Sequence, residues 1–365
     1  MSSSTKFDFS ILGAGLAGLS IAQKLSKLGA TVCIIDKNEI ASGASGAPLG
    51  MVNPATGRFG NKVWNAERCL QATRLDLDQV QSTTDEIIFK NTGILRPAQD
   101  GKMAERMKEN TIQQGWPKGW CTWLDEKQIA EINPDLHCMQ GGMWLPEGLT
   151  VNLPKFLYAK AELLRKTGVE VFENADYASE ISKSGIRITL KNSSNSIESD
   201  KIIFATGYGT TKLAMWDFLP LHLIKGQLAI FESPHSSDFD YSISALGYIA
   251  SISRNRFVAG STYEHHFDHL NPDQEGADYL VNRLGKVYPS LFEEATLVEQ
   301  WAGVRMSMPN RKPVVGKHPD HENVFVYAGL GSKGLIYSEY VATLLAEHIT
   351  KKNELPDDIS ITRFL

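Results

Sequence analysis

The sequence predicts an α/β fold, and three stretches carry that expectation. F-D-F-S-I-L-G-A-G-L-A-G-L-S-I-A-Q-K-L-S-K-L-G-A-T-V-C-I-I-D, residues 7–36, reads as strand, turn, helix and second strand. A helix-like segment at 153–167, a strand at 169–172 and a buried strand leading into A-T-G at 205–207 repeat that alternation further on. At 226–231, 247–253 and 256–261 three strand-like runs follow one another without a helix, as in a mixed, mostly antiparallel sheet. A chain of 365 residues is long enough for two intimate domains.

Bulk properties narrow the function. The composition, 42% hydrophobic and 22% charged, is that of an ordinary water-soluble globular chain. A net charge of −5 gives no global basic excess to draw it onto nucleic acid or anionic lipid. No apolar run approaches the ~20 residues that span a bilayer, so no membrane partner is expected. The polar start, M-S-S-S-T-K-F-D-F-S, lacks the pattern of a signal peptide. Cys33, Cys69, Cys121 and Cys138 have neither metal nor redox spacing and read as packing thiols of a reducing compartment. The expected location is cytoplasmic.

The first unit carries the clearest chemistry. Its opening strand, 7–12, is short and apolar-rich, fit for a buried parallel position. The turn Gly13-Ala14-Gly15-Leu16-Ala17-Gly18 comes next. Gly13 permits the tight turn, Gly15 lets the backbone approach a pyrophosphate, and Gly18 lets the helix pack close to the strand. Leu19, Ala22 and Leu25 keep one helical face apolar, and Val32, Ile34 and Ile35 form the next strand. That strand ends at Asp36, with Lys37 after it, where an acid is placed to bond a ribose hydroxyl. The combination predicts a bound dinucleotide, and the motif alone admits NAD or FAD.

Beyond Asp36 the chain departs from a nicotinamide domain. A loop of small residues, 42–50, intervenes, with Ala44, Ser45, Leu49, Gly50 and Met51 as candidate cofactor contacts. Small residues let backbone lie against a flat ring and a ribityl chain. Met51, Val52 and Pro54 anchor the loop, and the turn Ala205-Thr206-Gly207 ends the later strand beside the same cofactor.

On these pieces the chain resembles the D-amino-acid oxidase superfamily of FAD enzymes, which includes glycine oxidase, sarcosine oxidase and the flavin domain of the bacterial tRNA wobble-uridine methylaminomethyl enzyme. I-L-G-A-G-L-A-G, A-S-G-A-S-G-A-P-L-G-M, K-G-Q (225–227), Y-I-A-S-I-S (248–253), F-V-A-G-S-T (257–262), W-A-G-V-R (301–305), R-K-P-V-V-G (311–316) and A-G-L-G-S-K-G-L-I (328–336) occur in family order. The resemblance implies a Rossmann-type FAD-binding domain (1–90, 143–224 and 301–365) interleaved with an α+β substrate domain (91–142 and 225–300). It implies FAD held without a covalent bond, since Met306-Ser307-Met308 stand where some sarcosine oxidases attach flavin to cysteine. Phe89, Trp116, Trp120 and Trp123 are expected within or beside the first insertion.

The resemblance also assigns sites. Leu330, Gly331, Ser332, Lys333, Gly334, Leu335 and Ile336 form a second glycine-rich helix start. A helix N-terminus carries about half a positive charge. At the pyrimidine edge of the flavin it would favour the anionic reduced ring, with Lys333 adding a full charge. Arg305 is the expected partner of a substrate carboxylate, its planar fork suited to two parallel hydrogen bonds, with Tyr248 in support. Tyr263 stands beside them, and the run E-H-H-F-D-H (264–269) reads as solvated loop rather than metal site. Sarcosine oxidases activate oxygen with a lysine where Val258 stands here, so O2 and another electron acceptor both stay open.

The expected activity is oxidation of the C–N bond of a small amino acid or N-substituted glycine by hydride transfer to flavin N5, then hydrolysis of the imine. The A-S-G-A-S-G and G-S-K-G stretches favour a second substrate, carboxymethylaminomethyl-uridine in tRNA; the acidic balance weighs against it. A flavin-binding sensor or electron-transfer subunit is the alternative of another class.

Overall fold

Short strands that are apolar throughout can only sit between two covered faces, and that requirement builds the first layer. The structure, a computed structural model, describes residues 4–138, 140–182, 185–191, 196–235 and 240–365. Ser4–Leu12 lies parallel between Val32–Ile35 and Ser196–Phe204, and Glu170–Phe172 extends the sheet beyond Val32–Ile35. Val324–Ala328, buried at every residue, runs parallel to the end of Ser196–Phe204. Tyr177–Ser182 and Gly185–Leu190 extend it as an antiparallel meander, and Val314–Lys317, antiparallel to Val324–Ala328, is its eighth strand.

Helices Leu16–Lys27, Ala66–Gln81, Leu153–Lys166 and Gly334–Lys351 pack their apolar sides on one face, around Ile11, Ile34 and Ile203. Leu12, Ile35, Ile202 and Phe204 turn to the other face, onto Ile186, Ile188 and Trp216.

The helix bundle has a charged centre. Lys160, 1% exposed, is paired with Asp76 and Glu339, and Lys24 pairs with Glu339 at 2.7 Å. Gln23 Nε2 donates to Asp76 Oδ1 at 2.9 Å. These residues come from all four helices. A buried lysine with two carboxylates is costly to desolvate and costlier to break, because removing one partner strands the rest.

The second layer is an eight-stranded sheet in the order Thr296–Ser307, His222–Glu232, Arg256–Gly260, Tyr248–Ser253, Ser242–Ile243, Ile94–Pro97, Gly142–Leu145, Thr122–Leu124. Among the described residues its one parallel pair joins Ser242–Ile243 to Ile94–Pro97. Asp100 caps Gly101–Gln113 by accepting from Met103 N, and Asp125 with Gln128 forms a capping box on Glu126–Ile132. Trp116 and Trp123 pack with Met103, Met107 and Met143, whereas Trp120 and Phe89 lean on the first layer.

The boundaries expected from sequence at 142/143, 224/225 and 300/301 each fall inside a strand of this sheet. The two longest strands carry Leu223 and Met306 into the core of the first layer, and Met308 joins them there. Among the described residues no helix is long and apolar enough to cross a membrane. The four cysteines are free, and burial pushes the thiols of Cys33, Cys69 and Cys121 up to about 12.

Candidate active site

The first glycine turn is closed on itself and open in front. Gly13 has φ +109°, a left-handed conformation that glycine adopts without strain. A Cβ at Gly18 would stand 1.8 Å from Gly13 O, so the helix start lies directly on the turn. Gly15 is the N-cap of Leu16–Lys27 and offers no side-chain cap, leaving helix donors for a ligand. Ser45 reaches over this end and its Oγ accepts from Leu16 N at 3.1 Å, so its own hydrogen is free for an anion beside the helix.

Asp36 is held beside the turn, with Oδ2 accepting from Ala14 N at 2.7 Å and Oδ1 from Asn38 N at 3.0 Å. Burial raises its pKa against the pull of those amides. A carboxylate has about four acceptor positions, so it can still take a hydroxyl. Ala17 is buried in the helix start, and Ala205 N donates to Leu12 O just behind Gly13. Thr206 precedes the 3-10 turn Gly207–Lys212, its Oγ1 2.9 Å from Thr210 Oγ1. The Lys37 backbone bonds Asp36, but its side chain is not brought to this cradle; its Nζ lies 3.8 Å from Asp176 Oδ1 and over the Tyr177 ring.

The second glycine-rich helix start converges on the first. A Cβ at Gly334 would stand 2.9 Å from Leu16 Cδ1, and one at Gly50 would stand 2.6 Å from Leu335 Cδ1. Gly331, with φ +56°, opens the 3-10 turn Gly331–Lys333, which runs into Gly334–Lys351 without a side-chain cap. Ser332 lies within that turn, and Ile336 is in the core. Lys333 Nζ donates to Arg311 O at 3.0 Å and lies over the Tyr337 ring. Burial, then the nearby Arg311 and Lys312, lower its pKa to about 8.

The second sheet closes the space. Trp301 packs on the 3-10 turn Ala44–Gly46, and Ser307 bridges to Leu330. Met51, half-buried, pairs with Thr150 and leans on Ala55, Ile94 and Leu145. Tyr248 OH donates to Leu49 O at 2.8 Å, so the tyrosine ties the loop to the sheet. Its hydroxyl hydrogen is committed there, and supporting a carboxylate would mean exchanging that bond. Burial raises the Tyr248 pKa while Arg305 draws it down.

Arg305 is held by one short segment. Nη1 donates to Ser261 Oγ at 2.9 Å, Nη2 donates to Thr262 O at 2.8 Å, and the guanidinium carbon lies 4.5 Å from the centre of the Tyr263 ring. Tyr263 is 58% exposed. Of the five N–H donors of an arginine, these bonds use two, so donors remain on both Nη atoms. Trp301, Ser261, Thr262 and Gly226 were not singled out from sequence as site residues; the available signal was a glycine inside the K-G-Q strand. His269 faces outward, Nδ1 3.1 Å from Asn271 O, and among the described residues no group of three or more His, Cys, Asp or Glu could hold a metal ion.

The donors present fit FAD. One uncapped helix end and an acid suit the adenosine diphosphate half, and a second uncapped end and a small-residue loop stand beside it. Residues 8–348 match the family model described as DAO, FAD dependent oxidoreductase. Glycine oxidase of Geobacillus kaustophilus is 24% identical, covering 99% of this chain and 98% of that one. Its crystal structure superposes with a TM-score of 0.85 over 99% of both chains. The L-proline dehydrogenase structure from P. horikoshii gives 0.83 at 19% identity, covering 96% of this chain and 95% of that one. The tRNA 5-methylaminomethyl-2-thiouridine biosynthesis bifunctional protein of Leptospira interrogans is 26% identical over 97% of this chain, which spans 60% of that protein's length.

Proposed function

This chain belongs to the DAO family of FAD-dependent oxidoreductases, and from that premise we propose that it oxidises the C–N bond of a small amino acid or N-substituted glycine. The observation that carries this reading is Arg305. Its guanidinium is fixed by Ser261 and Thr262, stacked by Tyr263, and placed on a strand whose continuation, Ser307, touches the late helix start at Leu330.

In this reading the free Nη hydrogens of Arg305 take a substrate carboxylate and set the α-carbon, and fixed geometry of this kind lowers a barrier without a strong base. FAD, when bound, supplies the hydride acceptor at N5. The Gly15 backbone and the Ser45 hydroxyl would hold its phosphates, Asp36 a ribose hydroxyl, and the 331–335 backbone the far half. Trp301 and Tyr248, which join the sheet to the loop, exclude water from the site. The substrate loses a hydride and a proton, and the resulting imine takes up water and splits into a carbonyl compound and an amine. The division into a cofactor unit and a substrate unit belongs to the same proposal.

The test is anaerobic mixing of the yellow protein with glycine, sarcosine, D-alanine and L-proline. Bleaching of the flavin band by one of them supports the reading. A bound flavin that no amine reduces favours the sensor or electron-transfer alternative. Re-oxidation by air or only by a dye separates O2 from another acceptor.

The similarity to the Leptospira tRNA-modifying protein supports a second reading, in which the oxidised glycine is the carboxymethylamino group of a modified uridine. The carboxylate and C–N bond are the same, so Arg305 would serve both. Reduction by carboxymethylaminomethyl-uridine tRNA, with binding that weakens steeply with salt, would favour it. Absence of binding at low salt removes it.

A further inference from the structure

Arg305 owes its orientation to residues 261–263, which lie outside any strand, and something must hold that segment in turn. The hold is a polar cluster centred on Lys225, 1% exposed, and Gln227, 2% exposed. Lys225 and Glu264 exchange backbone hydrogen bonds at 3.0 Å in each direction. Thr262 N donates to Gln227 O at 3.2 Å, and Gln227 N donates to Thr262 Oγ1 at 2.9 Å.

Thr262 Oγ1 in turn donates to Glu264 Oε1, which also accepts from Gln227 Nε2 at 3.0 Å. Lys225 Nζ completes the cluster, 3.2 Å from Glu264 Oε2 and 3.3 Å from Asp273 Oδ2. Asp273 caps helix Gln274–Leu284, and its backbone N donates to Gln227 Oε1 at 2.8 Å.

None of these bonds reaches Arg305 directly except through Thr262, whose carbonyl accepts from Nη2 and whose hydroxyl lies inside the cluster. Neither Lys225 nor Glu264 is bonded to Arg305. A buried lysine between two acids is poor at stabilising a sheet compared with apolar packing, so its placement beneath this turn calls for another use.

We infer that Lys225, Gln227 and Glu264 are positioning residues for Arg305: they lock the Thr262 carbonyl and so fix the angle at which the guanidinium meets a substrate carboxylate. This rests on the reading of Arg305 as the carboxylate partner. Misplacing a binding group by an ångström from a distance can cost about a hundredfold, and a loosened turn should cost about tenfold or more.

The experiment uses the FAD-loaded protein and acetate as a carboxylate that cannot be oxidised, its binding read from the flavin spectrum. Glu264→Ala and Lys225→Met are each expected to keep full flavin content and to weaken acetate about tenfold. With whichever amine proves to be a substrate, KM should rise while kcat changes little. Thr262→Val, which cuts the hydroxyl link and leaves the Lys225–Glu264 pair in place, gives the same pattern if the charged variants fail to fold. Arg305→Lys is the control for the underlying reading. If it weakens acetate while the folded cluster variants bind as the parent does, the positioning role is wrong and the carboxylate role survives. If Arg305→Lys binds acetate unchanged, or the parent protein binds none, the carboxylate reading falls and takes this inference with it.

Discussion

The guanidinium of Arg305 occupies the space that a side chain at Gly226 would need: a Cβ there would stand 2.3 Å from Nη2 and 2.6 Å from Cζ. The two residues lie on adjacent strands, where Gly226 pairs with Gly303 and Ile224 with Arg305. Gly226→Ala therefore has to push the guanidinium away from Ser261 and Thr262. We expect KM for the oxidised amine to rise about tenfold or more with flavin content unchanged. Unchanged KM in a folded Gly226→Ala protein would separate the Arg305 guanidinium from substrate binding.

Two other glycines distinguish a rigid contact from a yielding one. The nearest atom to a Cβ at Gly18 is a backbone oxygen, 1.8 Å away, whereas at Gly334 it is the tip of the Leu16 side chain. Gly18→Ala should lower FAD affinity at least about tenfold, about 1.4 kcal/mol. Gly334→Ala should retain FAD because Leu16 can rotate, and Gly334→Leu should lose it. The ratio of flavin to protein absorbance after purification reads all three, and full flavin in Gly334→Leu would remove the late helix start from the cofactor site.

The helix-bundle charge cluster sets an acid limit. Burial pushes Glu339 up, but Lys160 and Lys24 pull it down harder, to about 2. Glu339 stays ionised in the native protein where the unfolded chain, near 4.3, would take up a proton. Its stabilisation is complete above that range and is lost as pH falls through about 2. Burial raises Asp76, which acts in the opposite sense. Urea unfolding between about pH 2 and pH 6 should show a flatter acid slope in Glu339→Gln. Lys160→Met, which leaves buried Asp76 without a cation and Glu339 with Lys24 alone, should cost about 3–5 kcal/mol at neutral pH.

Lys333 gives a basic signature. Its ammonium titrates near 8 in the folded chain and near 10.4 when unfolded. Between those values the native state binds fewer protons, so stability rises with pH across that window. Flavin-free protein should show this rise in denaturant unfolding, and Lys333→Met should lack it. A rise of equal size in Lys333→Met would assign it to another group.

The first 36 residues were legible because one βαβ unit contains most of what they answer to: Gly13 is needed by its own φ of +109°, Gly18 by the carbonyl of Gly13, and Asp36 by the amide of Ala14. Arg305 was singled out through its W-A-G-V-R setting. The holders of Arg305 were not, because cross-strand register and the path of 261–264 are properties of pairing, which no local pattern encodes. The direction of the Lys37 side chain was not legible for a related reason: Lys37 follows Asp36 along the chain, but its side chain leaves toward Asp176. The four-helix charge cluster had no sequence signal at all, since its members are scattered from Gln23 to Glu339.

His222–Glu232 and Thr296–Ser307 anchor their far ends, through Leu223 and Met306, among the side chains of the parallel sheet. Two strands that pass from one sheet into the core of the other resist a rotation of either sheet against the other. On the proposed reading, the exposed ring of Tyr263 over Arg305 is the part that would move to admit a substrate, and turnover should be insensitive to crosslinks between the two sheets.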